Sequence, residues 1–182
     1  MAKREEILKV ALEGYRTSGW QGPSLKAIAA AVGLTEAGVL HYFGSKDELF
    51  VAILQARDQE YRETYDLSTL DGVWRLLAHT TQTPGLVRLF VDMTAASGAP
   101  AHPAHAFMQR RASAILELIE RILGPGCEWQ ARVLLAAAEG LQIQWLRDPR
   151  TDIVADLKRL EALLDTAAVD RSAGACRCCS EA

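Results

Sequence analysis

The sequence predicts an all-α protein of about nine helices, an N-terminal three-helix unit followed by a larger helical domain. Three observations carry that prediction. Apolar residues recur at i, i+3, i+4 and i+7 in segment after segment; no stretch alternates apolar and polar residues as a strand would; and glycine, proline and capping residues punctuate the chain at helical intervals. The organisation expected is a helix-turn-helix domain over residues 1–48, a helical domain over 49–168, and a disordered tail over 169–182.

In order along the chain, Ile7, Leu8, Ala11, Leu12 and Tyr15 give the first helix its apolar stripe, and Gly19 stops it. Ser24 caps a second helix whose stripe is Leu25, Ile28, Ala29 and Val32. Gly33 then suits a left-handed C′ position, Leu34 is the apolar residue that packs back, and Thr35 caps the next helix. That third helix turns Val39, Leu40 and Phe43 inward and leaves Glu36, His41 and Tyr42 outward. Two short helices joined through a glycine turn make a helix-turn-helix, whose second helix lies in the DNA major groove. Gly44 ends it, and Ser45-Lys46-Asp47-Glu48 reads as a capping box for a longer helix reaching about Tyr65. Because that helix leaves the first unit and enters the second, it is the natural mechanical link.

The remaining helices show their faces at Leu70, Val73, Trp74 and Leu77; at Leu86, Leu89, Phe90 and Met93; and at Phe107, Arg111, Ile115, Leu118 and Ile122. Two more follow the Gly124-Pro125-Gly126 breaker: one with Val133, Leu134, Ala137, Ala138, Leu141 and Trp145, the last with Ile153, Leu157, Leu160 and Leu164. Small residues at 136–138 and Gly140 allow a second helix to approach closely. The dimer interface is therefore expected on Ala137, Leu141, Trp145, Leu157, Leu160 and Leu164, two helices from each subunit forming a four-helix bundle. The alternative is that these helices only close the core.

Net charge of −3 does not advertise a nucleic-acid partner, and residues 1–50 carry six basic and six acidic side chains, so phosphate affinity must come from placement. A lone Cys127 suits a reducing, cytoplasmic setting, and Cys176, Cys178 and Cys179 lack a fourth zinc ligand nearby. His102 and His105 have no third metal ligand. No cofactor, metal or membrane span is expected, and the H-E-x-x-H, G-x-S-x-G and phosphate-loop patterns of common enzymes are absent.

The segments IL..AL.GY...G, SLKAIAAAVGLT and above all GLTEAGVLHYFGSKDEL resemble the TetR family of transcriptional regulators over residues 4–50. The last is similar to a subgroup pattern, GLSxAGLLHHFPSKExL; RLFVDMTAASGAPAHPAHAFMQRR and EGLQIQWLRDP resemble the family's regulatory domains. Leu40 stands where many members carry a phosphate-contacting tyrosine, which shifts that role to His41 and Tyr42. The expected DNA-contacting set is Ser24, Leu25, Thr35, Glu36, Gly38, Val39, His41, Tyr42 and Lys46. Thr35 could donate to phosphate or only cap; Glu36 could accept from cytosine or only complement the helix dipole. Gly38 admits either DNA or a packed helix. The resemblance implies a homodimer that binds a double-stranded DNA operator and a small-molecule effector. It also implies an effector cavity, for which Trp74, Phe90, Met93, Phe107, Arg111, Gln142 and Trp145 are the candidates, with His79 and Asp92 as further polar groups to watch.

Overall fold

The computed structural model describes the backbone of residues 2–175 and the side chains of residues 2–165; Cys176, Cys178 and Cys179 lie outside the described residues. Within them the chain runs α1 (Ala2–Thr17), a short 3-10 turn (Gly19–Gln21), α2 (Leu25–Ala31), α3 (Glu36–Phe43), α4 (Lys46–Thr64), α5 (Leu70–Thr80), α6 (Pro84–Ala96), α7 (Ala104–Leu123), α8 (Glu128–Arg147) and α9 (Ile153–Ala175). The final helix thus continues to Ala175, into the segment expected as a tail. Pro84 opens α6, since at the first helical position its missing N–H costs nothing.

Side-chain caps set the helix starts. The hydroxyl oxygens of Ser24, Thr35 and Ser45 accept from the amides of Ala27 (3.1 Å), Gly38 (3.0 Å) and Glu48 (3.1 Å). The turn between α2 and α3 closes as a Schellman motif: Gly33, at φ +69°, donates to Ala30 O (3.2 Å) and Leu34 donates to Ala29 O (2.9 Å). A residue with a Cβ would be strained at that φ, so the glycine fixes the angle at which α3 leaves α2.

Two apolar clusters hold the molecule. The first joins α1–α4 to Leu86, Leu89, Phe90 and Met93 of α6 and to Ala104 and Met108 of α7. The second gathers Trp74, Val87, Ile119, Leu134, Trp145, Ile153 and Leu157. Helix α4 is buried at Leu49, Ile53, Leu54 and Tyr61, so one core runs straight through the boundary expected at residue 48. Across the same seam Trp20 stacks on Trp145, ring centroids 5.2 Å apart and planes inclined by 29°. Helix α6 comes close to the end of α1 because its second residue is glycine. A Cβ on Gly85 would sit 2.7 Å from Gly19 O and 2.8 Å from Tyr15 O, both backbone atoms that cannot step aside. Gly85→Ala is therefore expected to cost about 1–3 kcal/mol, read as a fall in thermal midpoint. Gly98→Ala, with only Ala95 O at 3.6 Å, is the matched control and should change little.

Three residues of the expected dimer set need correction. Leu157, Leu164 and Trp145 are buried within the chain's own second cluster, and Ala137, Leu141 and Leu160 pack half-buried against it. The exposed face of these helices lies a step further round, at Trp129, Ala136, Ile143 and Leu163, with Gly140 beside open space.

Candidate nucleic-acid interface and effector cavity

Helix α3 divides its residues cleanly. Val39 (0 % exposed) and Phe43 pack inward, while Thr35, Glu36, His41 and Tyr42 (41 % exposed) face out. Val39, expected among the DNA contacts, is a core residue: the helical period puts it on the face that seals α3 to its unit, out of reach of any ligand. Leu40, expected inward, is only half-buried. The rings of His41 and Tyr42 meet edge to face at 5.9 Å and form one polar-tipped aromatic ridge.

Thr35 is a cap, as its bond from Gly38 N shows, yet a hydroxyl that accepts through a lone pair still has its own proton to donate. The same holds for Ser24. Atoms of the turn itself surround Gly38: Thr35 Oγ1 and Leu34 Cβ lie 3.3 and 3.5 Å from where its Cβ would be. Ser24, Leu25, Lys26, Glu36 and Lys46, drawn from three helix starts, line one concavity together with Phe50 and with residues of α1 and α6 such as Tyr15, Arg88 and Asp92. The ammonium of Lys46 lies 5.3 Å from the Phe50 ring centroid, which lays its stem on the surface while the charge stays wet.

The even charge count resolves in three dimensions. Lys3 is held by Glu6 (3.1 Å) and by Val32 O (2.7 Å), and Arg16 by Glu60 and Glu13. Arg4, which sequence reasoning passed over, lies 4.8 Å over the Phe43 ring at the end of α3. No periodicity within α1 could reveal this, because the contact joins two helices far apart in the chain.

The loop before α7 touches the start of α4. His102 Nδ1 accepts from Ala104 N (3.1 Å), which leaves Nε2 protonated and 3.3 Å from Asp47 Oδ2; His105 Nδ1 donates to Ser97 O (2.7 Å). Both histidines are thus engaged locally, and among the described residues no cluster of metal-ligating side chains occurs. Also among the described residues, no helix is long and apolar enough to cross a membrane.

A cavity of about 390 Å³ opens between α4, α5, α7 and α8. Its walls are mostly apolar, including Leu70, Trp74, Leu77, Phe107, Ile115 and Leu134, and its polar groups are Asp58, Arg62, Arg110, Arg111, Glu139 and Gln142. Of the candidates expected, Trp74, Phe90, Phe107, Arg111 and Gln142 line it. Met93 and Trp145 do not. Met93 is buried in the first cluster under the helix-turn-helix, and Trp145 (5 % exposed) is taken up by Trp20; both had the spacing of a core stripe, which a cavity stripe shares. Asp92 pairs with Arg88 outside the cavity, and His79 packs on Tyr61 and Tyr65.

At the cavity's polar end, Arg57 donates to Asp58 Oδ1 from Nε (3.1 Å) and Nη2 (2.6 Å), and Arg111 Nε donates to Oδ2 (2.9 Å). Burial pushes the Asp58 carboxyl up, but the two guanidiniums outweigh it and hold the group below the usual carboxylate range. Burial lowers Arg111 and raises Glu139, against the pull of the opposite charge in each case. Asp58 and Glu139 line the cavity although no spacing or motif in the sequence singled them out.

A helix-turn-helix unit joined by one helix to a cavity-bearing helical domain is the class that these features define. Residues 7–53 match the family described as bacterial regulatory proteins, tetR family. HTH-type transcriptional regulator RutR of Escherichia coli K12 is 37 % identical over 54 residues, 30 % of this chain and 26 % of RutR. The transcriptional repressor AcnR of Corynebacterium efficiens is 29 % identical over 72 residues, 40 % of this chain and 38 % of AcnR. These matches span only about a quarter to two-fifths of the relatives' length. Over 96 % of this chain and 86 % of the other, the fold is that of a tetR-family transcriptional regulator from Streptomyces coelicolor, at TM-score 0.63 and 23 % identity. The similarity to the tetR family of bacterial regulatory proteins lies in residues 7–53, and the likeness to the solved structure is one of fold.

Proposed function

We propose that the chain is a homodimeric DNA-binding transcriptional regulator, a repressor released from its operator by a small molecule. The observation that carries this reading is the outward polar face of α3, held at a fixed angle by the Gly33 turn and the Thr35 cap. In the major groove Glu36 reads a base edge while Thr35, His41, Tyr42, Ser24 and Lys46 contact phosphate. One eight-residue helix buries too little surface to be selective. Two copies, spaced ~34–36 Å apart, double the contacts. The exposed apolar residues of α8 and α9 suit that pairing.

Helix α4 supplies the coupling. It starts beside the recognition helix at Lys46 and ends in the cavity wall at Gln55, Asp58, Tyr61 and Arg62. A ligand that favours one position of α4 changes the spacing of the paired recognition helices; a coupling of ~1–3 kcal/mol suffices.

The test is an electrophoretic shift on DNA upstream of the protein's own gene, with a salt series. Steep loss of affinity with salt is expected from counterion release, and no shift on any neighbouring DNA refutes the reading. Lys46→Ala should weaken binding by a similar factor on all sequences and flatten the salt dependence by about one counterion per subunit. An unchanged salt slope would remove Lys46 from the interface.

A further inference from the structure

The charges around the cavity do not balance. Arg62, Arg110 and Arg111 line it against Asp58 and Glu139, and Arg57 stands directly behind Asp58. Asp58 is already engaged at both oxygens, one by Arg57 and the other by Arg111 Nε. That leaves Arg111 with its outer fork unspent: among the described hydrogen bonds its Nη nitrogens make none. Its guanidinium is oriented firmly, bonded at Nε and lying 4.5 Å from the Phe90 ring centroid. A planar, oriented guanidinium with two parallel donors free is the geometry that recognises a carboxylate bidentately. Most of the remaining lining is hydrocarbon, including Trp74, Leu77, Phe107 and Leu134.

We propose that the cavity takes an amphiphilic anion, its carboxylate-type head on the Nη nitrogens of Arg111 and its apolar body among Trp74, Leu77, Phe107 and Leu134. As an effector assignment this rests on the regulator reading, but the binding itself does not involve DNA. A single negative head matches the excess of one positive charge among the lining residues, whereas a cation would add to it. A neutral alcohol would fill the apolar wall and leave the guanidinium fork unpaired. The head would share Arg111 with Asp58, and Asp58 belongs to the helix that reaches the recognition helix, so occupancy and α4 position are linked through one side chain.

Titration calorimetry on the full chain distinguishes these ligands with three probes of equal length: decanoate, decan-1-ol and decyltrimethylammonium, each below its micelle-forming concentration. Decanoate is expected to bind about tenfold tighter than either of the others, as a charge-assisted bidentate pair implies. Arg111→Gln should abolish that preference, bringing decanoate down to the level of decan-1-ol; Asp58 keeps its Arg57 partner, so it is not left without a counter-ion. Arg111→Lys preserves the charge and should weaken decanoate severalfold, since a point charge lacks the fork. Equal binding of the alcohol or the cation by the wild type, a decanoate preference that survives Arg111→Gln, or no binding of any probe each overturns the proposal. A DNA shift measured separately without probe keeps the two readings apart. Decanoate selectivity in a protein that shifts no DNA supports the ligand class and refutes the regulator; a shift without selectivity does the reverse.

Discussion

Asp58→Ala is expected to lose about 3–5 kcal/mol of folding stability, because it strands two nearly buried guanidiniums without a counter-ion. The side chains of Arg57 and Asp58 are 6 % and 12 % exposed, in contrast to the outer pairs Arg75–Asp71 and Arg150–Asp148, whose members stand 47–89 % exposed. Those outer pairs should contribute about 0–1 kcal/mol each. The loss at Asp58 carries a pH signature. Its carboxyl titrates lower in the folded chain than in the unfolded one, so the contribution is complete above the unfolded pKa of ~3.9 and fades as pH falls through the lower, folded value. Urea midpoints of wild type and Asp58→Ala should therefore differ most near neutrality and converge only in acid below about pH 4. A constant gap down to acid pH would mean that the mutant loses packing and not an ion pair.

Ile143→Glu is expected to dissociate the proposed dimer and, with it, to abolish specific DNA binding while the subunit stays folded. Ile143 is exposed in the isolated chain, so a glutamate there is harmless to the monomer. In the paired form it would meet its own two-fold mate in an apolar seam, where an unpaired buried charge costs several kcal/mol. About 4 kcal/mol corresponds to a thousandfold change in dissociation constant. Sedimentation equilibrium reads the assembly state, and the shift assay reads the consequence. Leu157→Glu makes the contrast: that residue has no exposed surface, so its mutant should unfold. A dimeric Ile143→Glu protein would place the interface elsewhere.

Where local chemistry decides the structure, the sequence was readable. The α2–turn–α3 geometry follows from Ser24, Gly33, Leu34 and Thr35, all acting within a few residues of their own position, and each cap and the Schellman closure appear where expected. Helix faces with one apolar stripe, as in α1 and α2, were equally legible. Failures occurred where a helix has two apolar faces. Helix α8 offers Leu134 and Trp145 on one side and Trp129, Ala136 and Ile143 on the other; spacing alone does not say which side the chain keeps for itself. Hence Trp145, Leu157 and Leu164 were assigned outward although they are core. Met93 failed for a related reason, since core and cavity stripes share one period and differ only in what faces them. The ion cluster was hidden because its members come from α4 and α7, separated by 53 positions between Asp58 and Arg111.

The stacked pair Trp20–Trp145 bridges the two halves of the molecule and has one indole partly in water. Stacked indoles at that separation exchange excitation and quench according to their spacing and tilt, so the chain carries an intrinsic optical gauge of its own seam. Emission from a protein in which Trp74 and Trp129 are replaced by phenylalanine would register any relative movement of the halves without an attached dye, in real time and without DNA.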